Sequence, residues 1–481
     1  MKKLTLGLAP VRRFCFSKED SHRYKKLLED RLKELSVDFV NLDGINEEGL
    51  LIGRSDVKPA VDLLKKADVD CVFFPHVNFG TEDVVADVAK ALGKPVLLWG
   101  PRDENPMPDG IRLRDTQCGL FATSNVFKKR GIPFTYITNS RLDAPVFERG
   151  LKNFLAAVRV SRGFLNARVG QIGTRPGNFH TVIINEQELT NRFGVEIVPV
   201  GVGRVIKAIG QIAKDDPRVP EESEKIRSSI RVAKGGDEVL RKTAAFKLFM
   251  EDWAKNEGLS AIAVYCHDEF AEDSGFYSCF ANGMLTDMGI PVACETDIHG
   301  ALSSVILQNA AADLTGDFRP VFLADMTIRH PSNNNAELLW HCGNFPFSLC
   351  DPACADAHIG GHCNIPPGLP GTGNFRIKGG DLTVTRFDGQ NGEYSLFMGQ
   401  GKSTDGPYNQ GSYVWMEVPN WPLWEEKLIC GPYIHHVSGV HGHFSAALYE
   451  ATKYIPGLKP DPAQPTEEEI RAYLRGDDVN V

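Results

Sequence analysis

The chain has no apolar run approaching the roughly 18 consecutive residues of a membrane span. Its opening run Leu4–Leu8 meets Pro10, Arg12 and Arg13 too soon to form a signal-peptide core. The expectation is a cytoplasmic protein with no membrane partner. Positive charge is not in surplus: 53 Lys and Arg against 62 Asp and Glu give a formal charge of -9, so polyanions are not attracted and nucleic acid is not an expected partner. No cysteine pair has two-residue spacing, and the 11 cysteines are odd in number and scattered, as free thiols in a reducing compartment are. Cys342, Cys350, Cys354 and Cys363 with His341, His358 and His362 gather zinc-type side chains. The Gly and Pro between them read as loop, and a structural zinc is not the expectation. A complete Gly-x-Gly-x-x-Gly is also missing: Gly201 with Gly203, and Gly371 with Gly373, are only fragments, which argues against a nucleotide-dependent oxidoreductase.

What is present is an ordinary globular composition, 42% hydrophobic and 24% charged over 481 residues, enough for two to four domains. From Leu4 to Phe164 short apolar runs alternate with helix-period segments. Leu4–Leu8, Val37–Leu42, Cys71–Pro75, Pro95–Trp99 and Pro133–Ile137 read as strands, and Lys18–Leu35, Val57–Ala67, Thr81–Leu92 and Thr116–Arg130 as helices. That rhythm implies parallel strands with right-handed crossovers. It restarts at Arg168 with strands Val169–Ile172, Val195–Val200 and Leu259–Val264, and Glu221–Phe249 reads as a helix interrupted at Gly235-Gly236. After about Asn344, Gly and Pro become dense (Gly360, Gly361, Pro366, Pro367, Gly368, Pro370), and Asp381–Phe387, Tyr394–Gln400 and Tyr413–Pro419 alternate as antiparallel strands do. The expected architecture is two doubly wound, Rossmann-like α/β domains, residues 1–165 and 166–343, followed by a β-rich, barrel-like domain, residues 344–481.

The stretch that organises the chain runs from Ile290 to Met326. Two buried strand candidates, Ile290–Cys294 and Pro320–Ala324, each deliver a carboxylate, Glu295 and Asp325, where the strand should stop. Ligands of open α/β sheets sit outside the carboxyl ends of strands, so the two acids can share one cation. The blander alternative makes Glu295 a helix cap and Asp325 a loop acid. Near the end, His435, His436, His441 and His443 fall within nine positions in a chain with only 13 histidines. One of the pair His435-His436 can ligate while its neighbour lines the site. Two carboxylates and an imidazole form an oxygen-rich, incompletely filled shell suited to manganese or magnesium.

Glu295 in Cys294-Glu295-Thr296-Asp297-Ile298-His299-Gly300-Ala301, Asp325 in Phe322-Leu323-Ala324-Asp325, the phrase His341-Cys342-Gly343-Asn344, and His435-His436 ahead of Gly442-His443 together resemble the L-fucose isomerase and L-arabinose isomerase superfamily, and within it the shorter L-fucose-isomerase-like members. Gly7–Phe14 and Ile172–Pro176 support the resemblance, which spans nearly the whole chain. It implies a metal-dependent aldose–ketose isomerase working through a cis-enediolate, with Mn2+ (or Mg2+ or Co2+) held by Glu295, Asp325 and His436, and with the two acids also moving protons. His299, Asn344, Arg13, Arg175 and His443 are sugar-binding candidates, with surface ion pairing or loop anchoring as the alternative, and an arginine fork near the pocket suits a sulfonate or phosphate on the sugar; the resemblance further implies a homo-oligomer, a hexamer by preference. A metal-dependent epimerase or aldolase needs the same chemistry, and a non-catalytic sugar-binding protein shares paired α/β domains but needs no metal triad.

Overall fold

The computed structural model describes residues 3–365, 368–479 and 481; Met1, Lys2, Pro366, Pro367 and Asn480, which include two prolines of the Gly- and Pro-rich stretch, lie outside the described residues. Strands β1 (Thr5–Leu8), β2 (Asp38–Val40), β3 (Cys71–Pro75), β4 (Val96–Trp99) and β5 (Thr135–Tyr136) pair in parallel in the order β2-β1-β3-β4-β5. Their apolar runs are continuous because both faces are covered. Phe73 and Phe74, adjacent on β3, belong to opposite core clusters.

The helix Pro145–Phe164 then leads into the second sheet, with Pro145 in its first turn, where a missing N–H costs nothing. Phe147, Leu151, Phe154, Leu155 and Val158 bury one long face of it, and Phe164 at its end touches the rings of Phe193 and Phe387 at 5.1 and 5.0 Å. Burying such a ring is worth about 2–3 kcal/mol, so this helix ties three regions together.

The second sheet has β6 (Arg168–Ile172), β7 (Glu196–Val200), β9 (Ala261–Val264) and β10 (Val292–Cys294), all parallel in the order β10-β9-β6-β7, while β8 (Arg231–Val232) pairs elsewhere. The segment around Gly201 and Gly203 is the start of a helix, Val202–Asp215. The long charged segment is two helices, Arg218–Ser229 and Gly236–Glu257, separated by a stretch that contains β8 and ends at Gly235, which takes a left-handed φ of 89° where a Cβ would also collide with Val239.

The C-terminal sheet contains β11 (Phe322–Arg329), β12 (Ala336–His341), β13 (His358–Gly361), β14 (Pro370–Arg376), β15 (Asp381–Gln390), β16 (Glu393–Thr404), β17 (Ser412–Glu417), β18 (His436–His441) and β19 (Leu458–Pro462), in the order β19-β16-β15-β18-β11-β12-β17-β14-β13-β8. A further antiparallel pairing of β16 with β17 closes β16, β15, β18, β11, β12 and β17 into a barrel-like ring. Phe322, Ala324, Leu339, Leu382, Val384, Phe397, Val414 and Met416 form its buried core. The barrel-like sheet therefore begins at Phe322, earlier than the composition change near 344. The reason is that an apolar run such as Pro320–Ala324 looks the same ahead of a parallel strand and of a barrel strand. Asp325 accordingly lies inside β11 and not at a strand end.

The helix Ile298–Ala310 lies between the second sheet, β15, β18 and the helix Pro145–Phe164. It is buried almost throughout, polar His299, Ser303, Ser304 and Gln308 included, because it is packed on every side. Among the described residues no helix is long and apolar enough to cross a membrane.

Candidate metal centre and active site

Glu295 leaves β10 at its carboxyl edge, and the backbone there turns left-handed at Glu295 and Thr296, with φ of 60° and 57°. Such conformations cost non-glycine residues on the order of 1 kcal/mol or more and persist where surrounding contacts fix them. Here the Thr296 amide donates to the Val264 carbonyl at 3.1 Å, and Thr296 Oγ1 donates to the Thr174 carbonyl at 3.0 Å. Asp325 on β11 stands directly opposite His436, the first residue of β18, and facing residues of antiparallel strands project to the same side. The three side chains meet: His436 Nε2 is 2.9 Å from Glu295 Oε2 and 3.3 Å from Asp325 Oδ1. Two more imidazoles join them, His267 with Nε2 at 3.2 Å from Glu295 Oε1 and His341 with Nε2 at 4.0 Å from Asp325 Oδ1. Phe179, from the loop after β6, lays its ring 5.7 Å from that of His436 and 5.8 Å from that of His435.

Residues of this kind, placed this way, fit a divalent cation. His341 Nε2 and Asp325 Oδ1 are buried without a hydrogen-bond partner, and so is His436 Nε2 while its ring is neutral, an arrangement that costs about 1–3 kcal/mol per group unless something shared satisfies them. Ligand atoms of Glu295, His341 and His436 lie within 4.8 Å of one another, as do those of Asp325, His435 and His436. His436 Nδ1 donates to Asp297 Oδ2 at 2.8 Å, so the lone pair of Nε2 faces the acids when the ring is neutral. The donors are carboxylate oxygens and imidazole nitrogens, and among the described residues no cysteine belongs to either group.

Charge is tightly coupled here. Burial, with Glu295 and Asp297 nearby, pushes the Asp325 carboxyl up to about 7. Burial also works against ionised Glu295, but His267 and His436 prevail and hold it well below the usual carboxylate range. For His436, burial disfavours the charge, and Asp297, Glu295 and Asp325 overcome it, raising the ring to about 10. His341, buried too, is pushed down to about 3. Without a metal, a proton on His436 supplies positive charge among the acids.

The structure thus brings together Glu295, Asp325 and His436. It places the other candidates differently. Asn344 is buried beside the site, its Nδ2 donating to Cys294 Sγ at 3.3 Å. Arg175 shares the loop of Phe179 and donates to the Pro176 and Gly177 carbonyls at 3.0 and 2.7 Å. His299 is turned away from the acids: its Nδ1 is 2.9 Å from Asp388 Oδ1 and its ring packs on Phe387 and Tyr394. Arg13 is engaged within the first α/β domain by Gly80, Glu82 and the ring of Phe79. His443 lies beyond the far end of β18, about 17 Å of extended chain from His436 to His441 alone, with Gln400 and Asp381 as partners. These positions follow from strand direction and helix face, which residue type does not encode.

Sequence reasoning missed His267, His341 and Phe179 as parts of this site. His267 follows β9, the neighbour of β10, so the strand-end rule that selected Glu295 applies to it equally. Phe179 carried no signal beyond lying in a Gly- and Pro-containing loop.

The second α/β sheet thus delivers one acid to an acid and an imidazole on barrel strands, the arrangement the motif resemblance implied. Residues 7–165 match the family model for the fucose/sulfoquinovose isomerase N-terminal domain. The sulfoquinovose isomerase of Priestia megaterium is 25% identical over 406 residues, covering 84% of this chain and 86% of that protein. The sulfoquinovose isomerase of Alkalicoccus urumqiensis is 27% identical over 340 residues, covering 70% of this chain and 73% of that one. These matches support the relation to the fucose isomerase-like superfamily read from the motifs, and they indicate an isomerase that interconverts aldose and ketose sugars.

Proposed function

We propose that the chain is a divalent-metal-dependent aldose–ketose isomerase working through a cis-enediolate, with a sulfonated aldohexose of the sulfoquinovose type as substrate. The observation that carries the metal requirement is the convergence of Glu295, Asp325 and His436 with unpaired atoms turned on one another. The substrate class rests on relatives that are themselves sulfoquinovose isomerases.

Glu295, Asp325 and His436 would hold Mn2+, or Mg2+ or Co2+, which when bound stabilises the negative charge that grows on the sugar's O1 and O2. The chain's own side chains move the protons. Of the pair Glu295 and Asp325, one carboxylate takes the proton from C2 and returns it at C1, and the other handles the hydroxyl proton. His267, 3.2 Å from Glu295 Oε1, orients the oxygen that does not face His436. Phe179 excludes water from the imidazole side, and Arg175 on the same loop offers a fork suited to a sulfonate. We further propose a cytoplasmic location, where all 11 cysteines stay as free thiols, and a homohexamer, which sedimentation velocity measures.

The test is to strip the protein with a chelator and incubate it with sulfoquinovose, L-fucose and other aldoses, with and without added Mn2+, following products by NMR in D2O. Ketose should form only with metal present, with solvent deuterium entering at the transferred position. Turnover indifferent to chelation would remove the proposal.

A further inference from the structure

We propose that Asp297 and Arg386 are positioning residues, members of a buried bridge Asp297–Arg386–Asp388 that aims His436 and sets the protein's affinity for its divalent cation. The inference rests on the metal reading above.

Arg386, on β15, is completely buried, which a guanidinium tolerates only when its donors are satisfied. Its Nη1 and Nη2 grip the two oxygens of Asp297, the second at 3.1 Å, and its Nε donates to Asp388 Oδ2 at 2.9 Å. Each carboxylate then reaches onward to an imidazole: Asp297 Oδ2 accepts from His436 Nδ1 at 2.8 Å, and Asp388 Oδ1 meets His299 Nδ1 at 2.9 Å. The line His436–Asp297–Arg386–Asp388–His299 therefore runs from the acid cluster into the packing between the helix Ile298–Ala310 and the barrel.

Room for it is built in. Asp297 caps that helix, its Oδ1 accepting from the Gly300 amide at 2.9 Å, and a Cβ at Gly300 would collide with Asp297 Oδ2. Two carboxylates flank one guanidinium, so the bridge keeps a negative surplus against the outer nitrogen of His436. Such a surplus fixes the Nδ1–H tautomer and makes Nε2 a better donor to a cation. If the bridge only joined strand to helix, apolar residues of similar volume would do as well. Asp297 Oδ2, however, also accepts from the imidazole that lies nearest to both Glu295 and Asp325, that of His436.

The experiment titrates Mn2+ into metal-free wild type, Asp297→Asn, Arg386→Lys and Asp388→Asn by calorimetry, with thermal unfolding of each metal-free protein alongside. Asp297→Asn keeps an oxygen that can accept the Nδ1 hydrogen but removes the charge, and its Mn2+ dissociation constant should rise about 10- to 100-fold. Arg386→Lys, which keeps the charge and breaks the fork, and Asp388→Asn, one link further out, should weaken binding less, in the same direction. Unaltered Mn2+ affinity in folded variants overturns the inference while leaving the metal reading intact. Absence of Mn2+ binding by wild type overturns both. If every variant loses its fold before metal is added, the bridge serves folding alone and the inference falls.

Discussion

Both α/β sheets put polar side chains at their carboxyl edges, yet the two edges end differently. At the first, the loops close on themselves: Asn78 Oδ1 accepts from the Arg13 and Gly80 amides at 2.7 and 3.1 Å, Arg13 Nε donates to the Gly80 carbonyl at 2.8 Å, and His76 Nδ1 donates to the Phe79 carbonyl at 2.8 Å. At the second, Glu295 and His267 face strands β11 and β18 of the barrel, and unpaired ligand atoms remain. His76 and His436 are both fully buried, but burial pushes His76 down to about 4, whereas the acids around His436 hold it at about 10. Burial alone makes an imidazole neutral and inert. A sheet edge becomes a centre for chemistry when a second layer brings acids that the first cannot satisfy.

The contrast can be broken most directly at Glu295. Glu295→Gln should lower kcat by about 10³-fold or more, since proton transfer by a placed group is worth 10²–10⁴, while circular dichroism shows the fold intact; near-wild-type turnover would count against its role. The next effect concerns metal affinity against pH. With His436 raised to about 10 and Asp325 to about 7, the metal-free centre is protonated at neutral pH, so a cation must displace protons and should bind more tightly as pH rises. Between pH 6 and 8 the Mn2+ affinity should increase roughly 10- to 100-fold, with proton release visible as buffer-dependent calorimetric heats.

A buried acid of the barrel with no such cluster sharpens the comparison. Burial raises Glu337 from an ordinary 4.5 to about 7, and its Oε2 has no partner. A pKa raised by folding means its favourable contribution is present below 4.5 and is lost as pH rises through about 7. Glu337→Gln should therefore stabilise the protein by about 2 kcal/mol at pH 8 and very little at pH 4, measured by urea unfolding at both. The smallest effect belongs to the first edge: Arg13→Ala should leave Mn2+ affinity within about twofold of wild type, because distant sites act independently.

Much of the α/β portion was readable because strand runs such as Cys71–Pro75 and helix runs such as Thr116–Lys129 are long, periodic and bounded by breakers. The acids were readable too, since Glu295 follows an apolar run and stands in a specific motif. Asp325 was found for a partly different reason than the one that places it, because its strand belongs to the barrel. Arg386 and Asp388 misled in a different way: they flank Phe387 in Asp381–Gln390 as solvent-facing charges would, yet they share strand parity with the buried Leu382 and Val384, and Arg386 reaches Asp297 at the start of the helix Ile298–Ala310. His299 misled because its residue type suggests sugar contact, while its turn of helix points it at Asp388.

Asp325 and His436 occupy one rung of an antiparallel ladder, Asp325 paired with His436 between Ala324 with Val437 and the loop beyond. Alternation along a strand means that slipping either strand by a single residue would swing its ligand to the opposite face. Loops around this pair can therefore gain or lose residues over generations, but the count of residues along β11 and β18 cannot change by an odd number without dismantling the centre.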